Sequence, residues 1–256
     1  MSSSIGLRRL AGKVFRKSKD LYHALLLSNA GYCHCCRQNS RFVIMGPWLR
    51  DQYICHACNS IPRQRHINYI LDRYFPGWEN QKLHESSPGN KLISQWANRY
   101  SSSQYLEGVA EGTIHNDQRC EDLEHLTFAD DTFDIFITQD VMEHVYLPRK
   151  AFQEIMRILK PGGVHVFTAP KHKNVAHSYA RAIIEKNEVK HLLEPMYHGN
   201  PVGDGRALVT WDYGDDFEVQ IWDWCGYPTI TYVTRDRALG LDGEYPEVFV
   251  THKIAS

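Results

Sequence analysis

Within residues 117–170, the run FDIFITQDVMEHV (Phe133–Val145), followed by LKPGGVHVFTAP (Leu159–Pro170), decides the fold. Phe133-Asp134-Ile135-Phe136-Ile137-Thr138 is a short apolar, β-favouring run bounded by polar residues, which predicts a buried parallel strand. Pro148 opens a helix where a missing N–H costs nothing. Ala151, Phe152, Ile155, Ile158 and Leu159 give that helix one apolar stripe. Lys160-Pro161-Gly162-Gly163 stops it, and Val164–Thr168 is the next strand. Strand, helix and strand in this length make a right-handed βαβ unit, whose ligands sit beyond the carboxyl ends of the strands. Gln139, Asp140, His144, Ala169, Pro170 and Lys171 therefore fall on the ligand side.

Working outward, the chain of 256 residues is long enough for one ordinary domain and a small appendage. Composition is globular, at 43% hydrophobic and 23% charged. A net charge of −1 gives no global field toward nucleic acid or membrane. No apolar run reaches the ~18 residues of a spanning helix, so a cytoplasmic protein is expected. Residues 1–30 form a basic arm with Arg8, Arg9, Lys13, Arg16, Lys17 and Lys19 ahead of the first acid, Asp20. It reads as a solvated tail or as an amphipathic helix for weak contact with an anionic membrane surface, a polyanion or a partner; a transit peptide is also conceivable.

Cys33-x-x-Cys36, eighteen residues and Cys55-x-x-Cys58 have the spacing of a four-thiolate zinc site. Arg41–Ile44 and Gln52–Ile54 read as short strands around a Gly46-Pro47 turn. Residues 31–60 are thus expected to form a zinc ribbon, with Cys33, Cys36, Cys55 and Cys58 as ligands and no open position for a catalytic water. Cys35 is spare. The ribbon carries no dense basic patch, which favours packing on the neighbouring domain over RNA binding.

In residues 61–256, Ser60 is expected to cap a helix from Pro62 to about Tyr74, with Arg63, Arg65 and Arg73 on solvated faces. Lys82–Glu85 is the expected first strand and Asn90–Tyr100 the helix after it, with Gln104–Glu107 a weak second strand. Gly108, Gly112 and Asn116 suggest a loop before Asp122. A helix is expected over Ala176–Lys190, then a loop, HLLEPMYHGNP (191–201). Asp215 and Glu218 suggest a capping box for Phe217–Trp224, with Ile221, Trp222 and Cys225 inward. Thr229–Thr234 and Glu247–His252 read as a closing antiparallel edge pair.

The ordered set CEDLEHLTFADDTFDIFITQDVMEHV, LKPGG and FTAP resembles the class I S-adenosylmethionine-dependent methyltransferases, and residues 31–253 resemble their zinc-ribbon-bearing members. The resemblance implies a doubly wound, seven-stranded, mostly parallel Rossmann-like sheet. It implies S-adenosylmethionine as cofactor, held by Glu85, Ser86, Ser87 and Gly89 in the first turn. Glu107 would meet the ribose, and Glu121, Asp122 and Leu123 the adenine, with Gln139 lining the crevice. Glu85-Ser86-Ser87-Pro88-Gly89 departs from the glycine-rich family turn, leaving room for a non-catalytic binding protein. Asp140, His144, His172 and His198 are the candidate bases. The acceptor is expected to be a small molecule or glycan hydroxyl, with an RNA methyltransferase as the alternative.

Overall fold

The computed structural model describes residues 28–199 and 205–254. The expectations for the basic arm up to residue 27, and for Asn200 and Pro201, lie outside them.

The chain opens with a three-stranded antiparallel ribbon: β1 (Asn29–Cys33), β2 (Gln38–Ile44) and β3 (Tyr53–Cys55). A single helical turn, α1 (Leu49–Gln52), joins β2 to β3. Helix α2 (Pro62–Tyr74) starts and ends as expected. Its N-cap is Ile61, however, whose N–H is taken by the Gln64 side chain. Ser60 lies buried instead, with its hydroxyl 3.2 Å from Cys58 Sγ. Arg65 is also buried, not solvated.

The main sheet contains β4 (Lys82–Ser86), β5 (Arg99–Gln104), β6 (Ile114–His115), β7 (Gln118–Cys120), β8 (Phe133–Gln139) and β9 (Leu159–Thr168). Between β9 and the closing pair come six short strands: β10 (Tyr179–Ala180), β11 (Ala182–Glu185), β12 (Glu188–His191), β13 (Tyr197–Gly199), β14 (Arg206–Leu208) and β15 (Trp211–Asp212). The chain closes with β16 (Thr229–Val233) and β17 (Glu247–His252). The sheet order is β16-β17-β9-β8-β4-β5-β7-β6. Strands β9, β8, β4, β5 and β7 run parallel; β17 joins antiparallel to β9, with β16 outside it. This is the expected doubly wound Rossmann-like sheet, with eight strands instead of seven. The addition is β6, paired to β7 through Asn116-Asp117, both at positive φ (48° and 61°). Such a turn matches the strand twist and suits Asn and Asp.

Helix α3 (Pro148–Ile158) carries the expected stripe into the core. With α4 (Phe217–Cys225) it covers one sheet face, where Phe136, Phe152, Phe167, Phe217, Trp224 and Phe249 pack together. Helix α2 covers the other face, against Ile135, Ile137, Val164, Val166, Val248 and Val250. On α4, Ile221 is buried and Cys225 packs against the core as expected, joined by Phe217 and Trp224, but Trp222 is exposed. Asp215 and Glu218 do not box the helix: Asp216 is the N-cap, and Glu218 reaches back to Lys171 Nζ (2.7 Å) and Thr231 Oγ1 (2.5 Å).

Three more expectations fail for identifiable reasons. Residues 90–98 form turns, not a helix, and β5 starts at Arg99. The ribbon occupies that position: Gln95 Nε2 and Trp96 Nε1 each donate to the Cys35 carbonyl at 2.8 Å, and Arg37 stacks 4.6 Å from the Trp96 ring centroid. Residues 176–190 form β10 and the β11–β12 hairpin instead of a helix. Lys186 and Asn187 sit at φ 52° and 66°, and Ile183, Ile184 and Val189 are β-branched, so a primed turn and extended strands win. LKPGG does not precede its strand but forms a bulge within β9, opposite the register shift between Phe133 and Ile135. A Cβ on Gly163 would lie 2.9 Å from the Lys160 carbonyl and 3.0 Å from that of Asp134.

Candidate functional site

The carboxyl ends of β4, β5, β7, β8 and β9 lie side by side along one edge of the sheet, where parallel sheets of this kind offer a binding crevice. At its floor Glu85, the fourth residue of β4, is buried. Its two oxygens accept from Gln139 Nε2 (2.7 Å) and Tyr100 Oη (2.9 Å). Burial pushes the Glu85 carboxyl up to about 7 despite those two donors. Glu85 and Gln139 thus brace the first turn against β8. Ser86 is buried, Ser87 stands at φ 55° with its N–H on the Ser103 carbonyl, and Gly89 is exposed with open space around it. A non-glycine residue at positive φ in the first turn is uncommon and stores local strain.

The rim beyond β5 and β7 gathers Tyr105, Glu107 and Asp122. Glu107 is exposed in the turn after β5. Asp122 is half-buried, and one of its oxygens accepts the Glu124 N–H at 2.8 Å. Burial, then the charges of Asp122 and Glu107, raise the Tyr105 phenol above its usual range, so the three share one neighbourhood. Glu121 faces the other way. It is buried, pairs with Arg119 Nε at 2.7 Å and accepts from the N–H and hydroxyl of Thr127, so it supports the loop instead of lining the crevice. The Leu123 side chain is core. Cys120 is buried, its sulfur near the Leu106 and Val109 carbonyls.

On the reaction side, Asp140 follows β8 at φ 53°. Arg50 Nη2 lies 2.7 Å from both of its oxygens, Arg63 Nε lies 3.2 Å from one, and the Thr168 hydroxyl donates at 2.8 Å. Burial pushes the carboxyl up, but the charges of Arg50 and Arg63 outweigh it and hold Asp140 at about 2. A carboxylate so stabilised is a poor proton acceptor, so Asp140 is corrected from candidate base to anchor. Arg50 comes from the ribbon, on α1. It also donates to the Tyr245 carbonyl at 2.6 Å and lies 5.3 Å from the Tyr245 ring centroid. The Tyr245 hydroxyl in turn meets His172 Nδ1 at 3.1 Å. His172 Nε2 is 3.5 Å from Asp212 Oδ1, and Arg181 holds the other Asp212 oxygen at 2.6 Å. His144 Nδ1 is bonded to the Leu208 carbonyl at 2.8 Å, and the His144 and His198 rings stand perpendicular with centroids 5.1 Å apart.

Sequence reading thus placed Gln139, Asp140, His144 and His172 at the strand ends, but missed Arg50, Glu143, Asp212 and Tyr245. Only Glu143, inside the quoted MEHV, carried a local signal. The others arrive from a ribbon turn, from an insertion strand and from the β16–β17 loop.

In the ribbon, the sulfurs of Cys33, Cys36, Cys55 and Cys58 all lie within 4.8 Å of one another, with Cys33 and Cys58 3.7 Å apart. Cys35 is buried beside them as packing.

Residues 94–167 match the model of the methyltransferase domain family. A ubiquinone biosynthesis O-methyltransferase of Parvibaculum lavamentivorans is 28% identical over 92 residues, 36% of this chain and 36% of that protein. The chain therefore spans about a third of the length of the curated relative it matches. Among solved structures, an S-adenosylmethionine-dependent methyltransferase from Mesorhizobium loti aligns at 14% identity, with a TM-score of 0.48 over 73% of this chain and 97% of that one. One from Methanosarcina mazei aligns at 15%, with a TM-score of 0.43 over 73% and 98%. The family match supports a methyltransferase domain within residues 94–167. No described helix is long and apolar enough to cross a membrane.

Proposed function

We propose that the chain is an S-adenosylmethionine-dependent methyltransferase that O-methylates a sugar, glycan or other small hydroxyl acceptor. The observation that carries this reading is the pair of side-chain groups at the carboxyl edge of the sheet. One rim is an acidic and aromatic edge of Asp122, Glu107 and Tyr105; the other is the His172–Asp212–Tyr245 group. Asp122 offers a strong acceptor to an exocyclic amine, and Glu107 one to ribose hydroxyls. When bound, the sulfonium nucleoside supplies an electrophilic methyl group for in-line displacement. The residues around the crevice hold the two partners in line, a contribution of about 7–11 kcal/mol when alignment is good. Asp212 favours the proton on His172 Nε2, leaving Nδ1 to take the acceptor's hydroxyl proton, directly or through the Tyr245 hydroxyl. The 3.5 Å separation from Asp212 is of the kind that tightens when substrate binds.

The ribbon is proposed to hold structural zinc. A tetrahedron with ~2.3 Å Zn–S bonds has sulfurs about 3.8 Å apart, close to the 3.7 Å between Cys33 and Cys58. The buried Arg65 supports an anionic cluster. Its guanidinium donates to the carbonyls of Tyr53, Ser60 and Gly240 and stacks over Phe42 and Tyr53. A buried cation paired with neutral carbonyls is costly unless negative charge lies nearby, and four thiolates on one Zn2+ leave a net charge of −2.

Calorimetry with S-adenosylhomocysteine tests the cofactor reading. The wild type is expected to bind, and Asp122→Ala to bind more than tenfold more weakly. No binding by the wild type would sink the methyltransferase, and unchanged affinity in the variant would remove Asp122 from the site. Tritiated-methyl transfer into fractionated lysate identifies the acceptor class. Label in glycans or small molecules is expected; label confined to RNA would overturn the acceptor assignment.

A further inference from the structure

Glu143 is buried at the turn Met142–His144, three residues past Asp140, and neither of its carboxylate oxygens has a hydrogen-bond partner among the described residues. An ionised carboxylate withdrawn from water in this way is costly unless a cation faces it. Arg50 lies nearby but is committed to Asp140. What faces Glu143 Oε1 is two imidazole nitrogens: His198 Nδ1 at 3.5 Å and His144 Nε2 at 3.8 Å. The ligand atoms of the three residues lie within 4.8 Å of one another.

The supporting contacts are those of a metal site. His144 Nδ1 is engaged by the Leu208 carbonyl at 2.8 Å, so Nδ1 carries the hydrogen and Nε2 presents its lone pair toward Glu143. Metal-ligating histidines fix their tautomer through this kind of outer contact. The antiparallel pair β13 and β14 supplies both the His198 ligand and the Leu208 carbonyl that orients His144. Thr210 then clamps the Glu143 backbone carbonyl with its N–H (2.8 Å) and hydroxyl (3.0 Å), and the Tyr213 hydroxyl holds the Met142 carbonyl at 2.7 Å.

We propose that Glu143, His144 Nε2 and His198 Nδ1 bind a divalent first-row transition cation of the Zn2+ class. Two imidazoles and one carboxylate suit zinc, iron or cobalt more than magnesium. Three protein ligands leave a position open for water or an acceptor oxygen. The site lies three residues past Asp140, on the acceptor side of the crevice. Any part it plays in turnover rests on the methyl-transfer reading; the binding of the ion does not.

The test is elemental analysis of the full chain saturated with Zn2+ and then passed through a desalting column. Two equivalents per chain are expected in the wild type, and one in both Glu143→Gln and His198→Ala. His198 stands on the largely exposed strand β13, so its variant keeps the test open should the buried Glu143→Gln fail to fold. Cobalt substitution identifies the equivalent that is lost, because the sulfur-to-cobalt absorption of the cysteine site should remain in both variants. A single equivalent in the saturated wild type, or two retained in the variants, overturns the proposal and leaves a histidine–glutamate ion pair. S-adenosylhomocysteine binding, measured on the same samples, reports separately on the methyltransferase reading.

Discussion

At Asp140 the chain places two arginines on one carboxylate, and that separates a residue that looks catalytic from one built to be. Asp140 and His172 both follow strand ends, and their positions alone make them equal candidates. Their partners differ: Asp140 is neutralised by Arg50 and Arg63, whereas His172 has a tyrosine hydroxyl on one nitrogen and a carboxylate beyond the other. His172→Gln is therefore expected to lower kcat by about 10²–10⁴ with KM little changed, while leaving the melting temperature near that of the wild type. Asp140→Asn should lose about 3–5 kcal/mol of stability by stranding the buried Arg50. Steady-state kinetics beside thermal unfolding of both variants distinguishes them; a kcat loss confined to Asp140→Asn would reverse the two roles. None of this was legible at Asp140, because the residue that decides its chemistry lies ninety positions away in another module.

Strand β8 and helix α3 were readable almost to the residue because an unbroken apolar run marks the one and a proline start and apolar stripe mark the other, whereas β9, read from Val164, begins at Leu159 because Lys160–Gly163 bulge within the strand. The stretches 90–98 and 176–190 misled for the opposite reason: apolar residues stood at helical spacing, but docking of the ribbon decided the first and turn geometry the second. The sheet also contains polar residues that a hydrophobic pattern hides. His84 on β4 lies between the hydroxyls of Ser101 (2.8 Å) and Ser103 (2.9 Å), and His165 on β9 meets Thr138 Oγ1 at 2.9 Å. Burial, aided at His84 by the charge of Arg119, lowers both to about 3, and burial lowers His66 on α2 to about 4 against the pull of the Pro246 carbonyl. Each contributes stability that is present above the unfolded value near 6.5 and is lost as pH falls toward the folded one. Glu85 works in the other direction: its stability is present below about 4.5 and lost as pH rises through about 7. Between pH 6.5 and 5, three histidines less one glutamate leave two net protons favouring the unfolded chain. At about 1.4 kcal/mol per proton and pH unit, unfolding free energy should drop by about 3–4 kcal/mol across that interval. Urea titrations at the two pH values measure it, and His165→Gln should roughly halve the slope; a flat profile would show that these histidines are charged in the fold.

For the whole molecule, the ribbon packs against the elements around it and reaches Asp140 through Arg50. Asn29 Nδ2 donates to the Arg237 carbonyl at 2.5 Å, Arg37 pairs with Asp72 and Glu79, and Arg65 on α2 bridges the Tyr53 carbonyl of the ribbon and the Gly240 carbonyl. Two glycines set how closely the parts approach. A Cβ on Gly31 would lie 2.0 Å from the Ala238 carbonyl, and one on Gly240 (φ 67°) 2.6 Å from the Phe42 ring. The ribbon's own apolar cluster is small, built from Cys33, Cys35, Phe42, Tyr53, Cys55 and Leu92. A metal contributing about 10–16 kcal/mol in such peptides would dominate its stability. Helix α1, which carries Arg50, is one turn between β2 and β3, so loss of the metal should withdraw Arg50 from Asp140 along with the ribbon. Two perturbations acting on one contact are not additive. In zinc-loaded protein, Arg50→Ala should cost about 3 kcal/mol, because it leaves the half-buried Asp140 with Arg63 as its remaining cationic partner among the described residues. In protein stripped by a chelator, the same substitution should cost less than about 1 kcal/mol, since the contact is already gone. Denaturant unfolding of both proteins in both states completes the cycle. Equal costs with and without zinc would show that Arg50 stays on Asp140 when the ribbon has lost its metal, and the ribbon would then have no hold on the crevice.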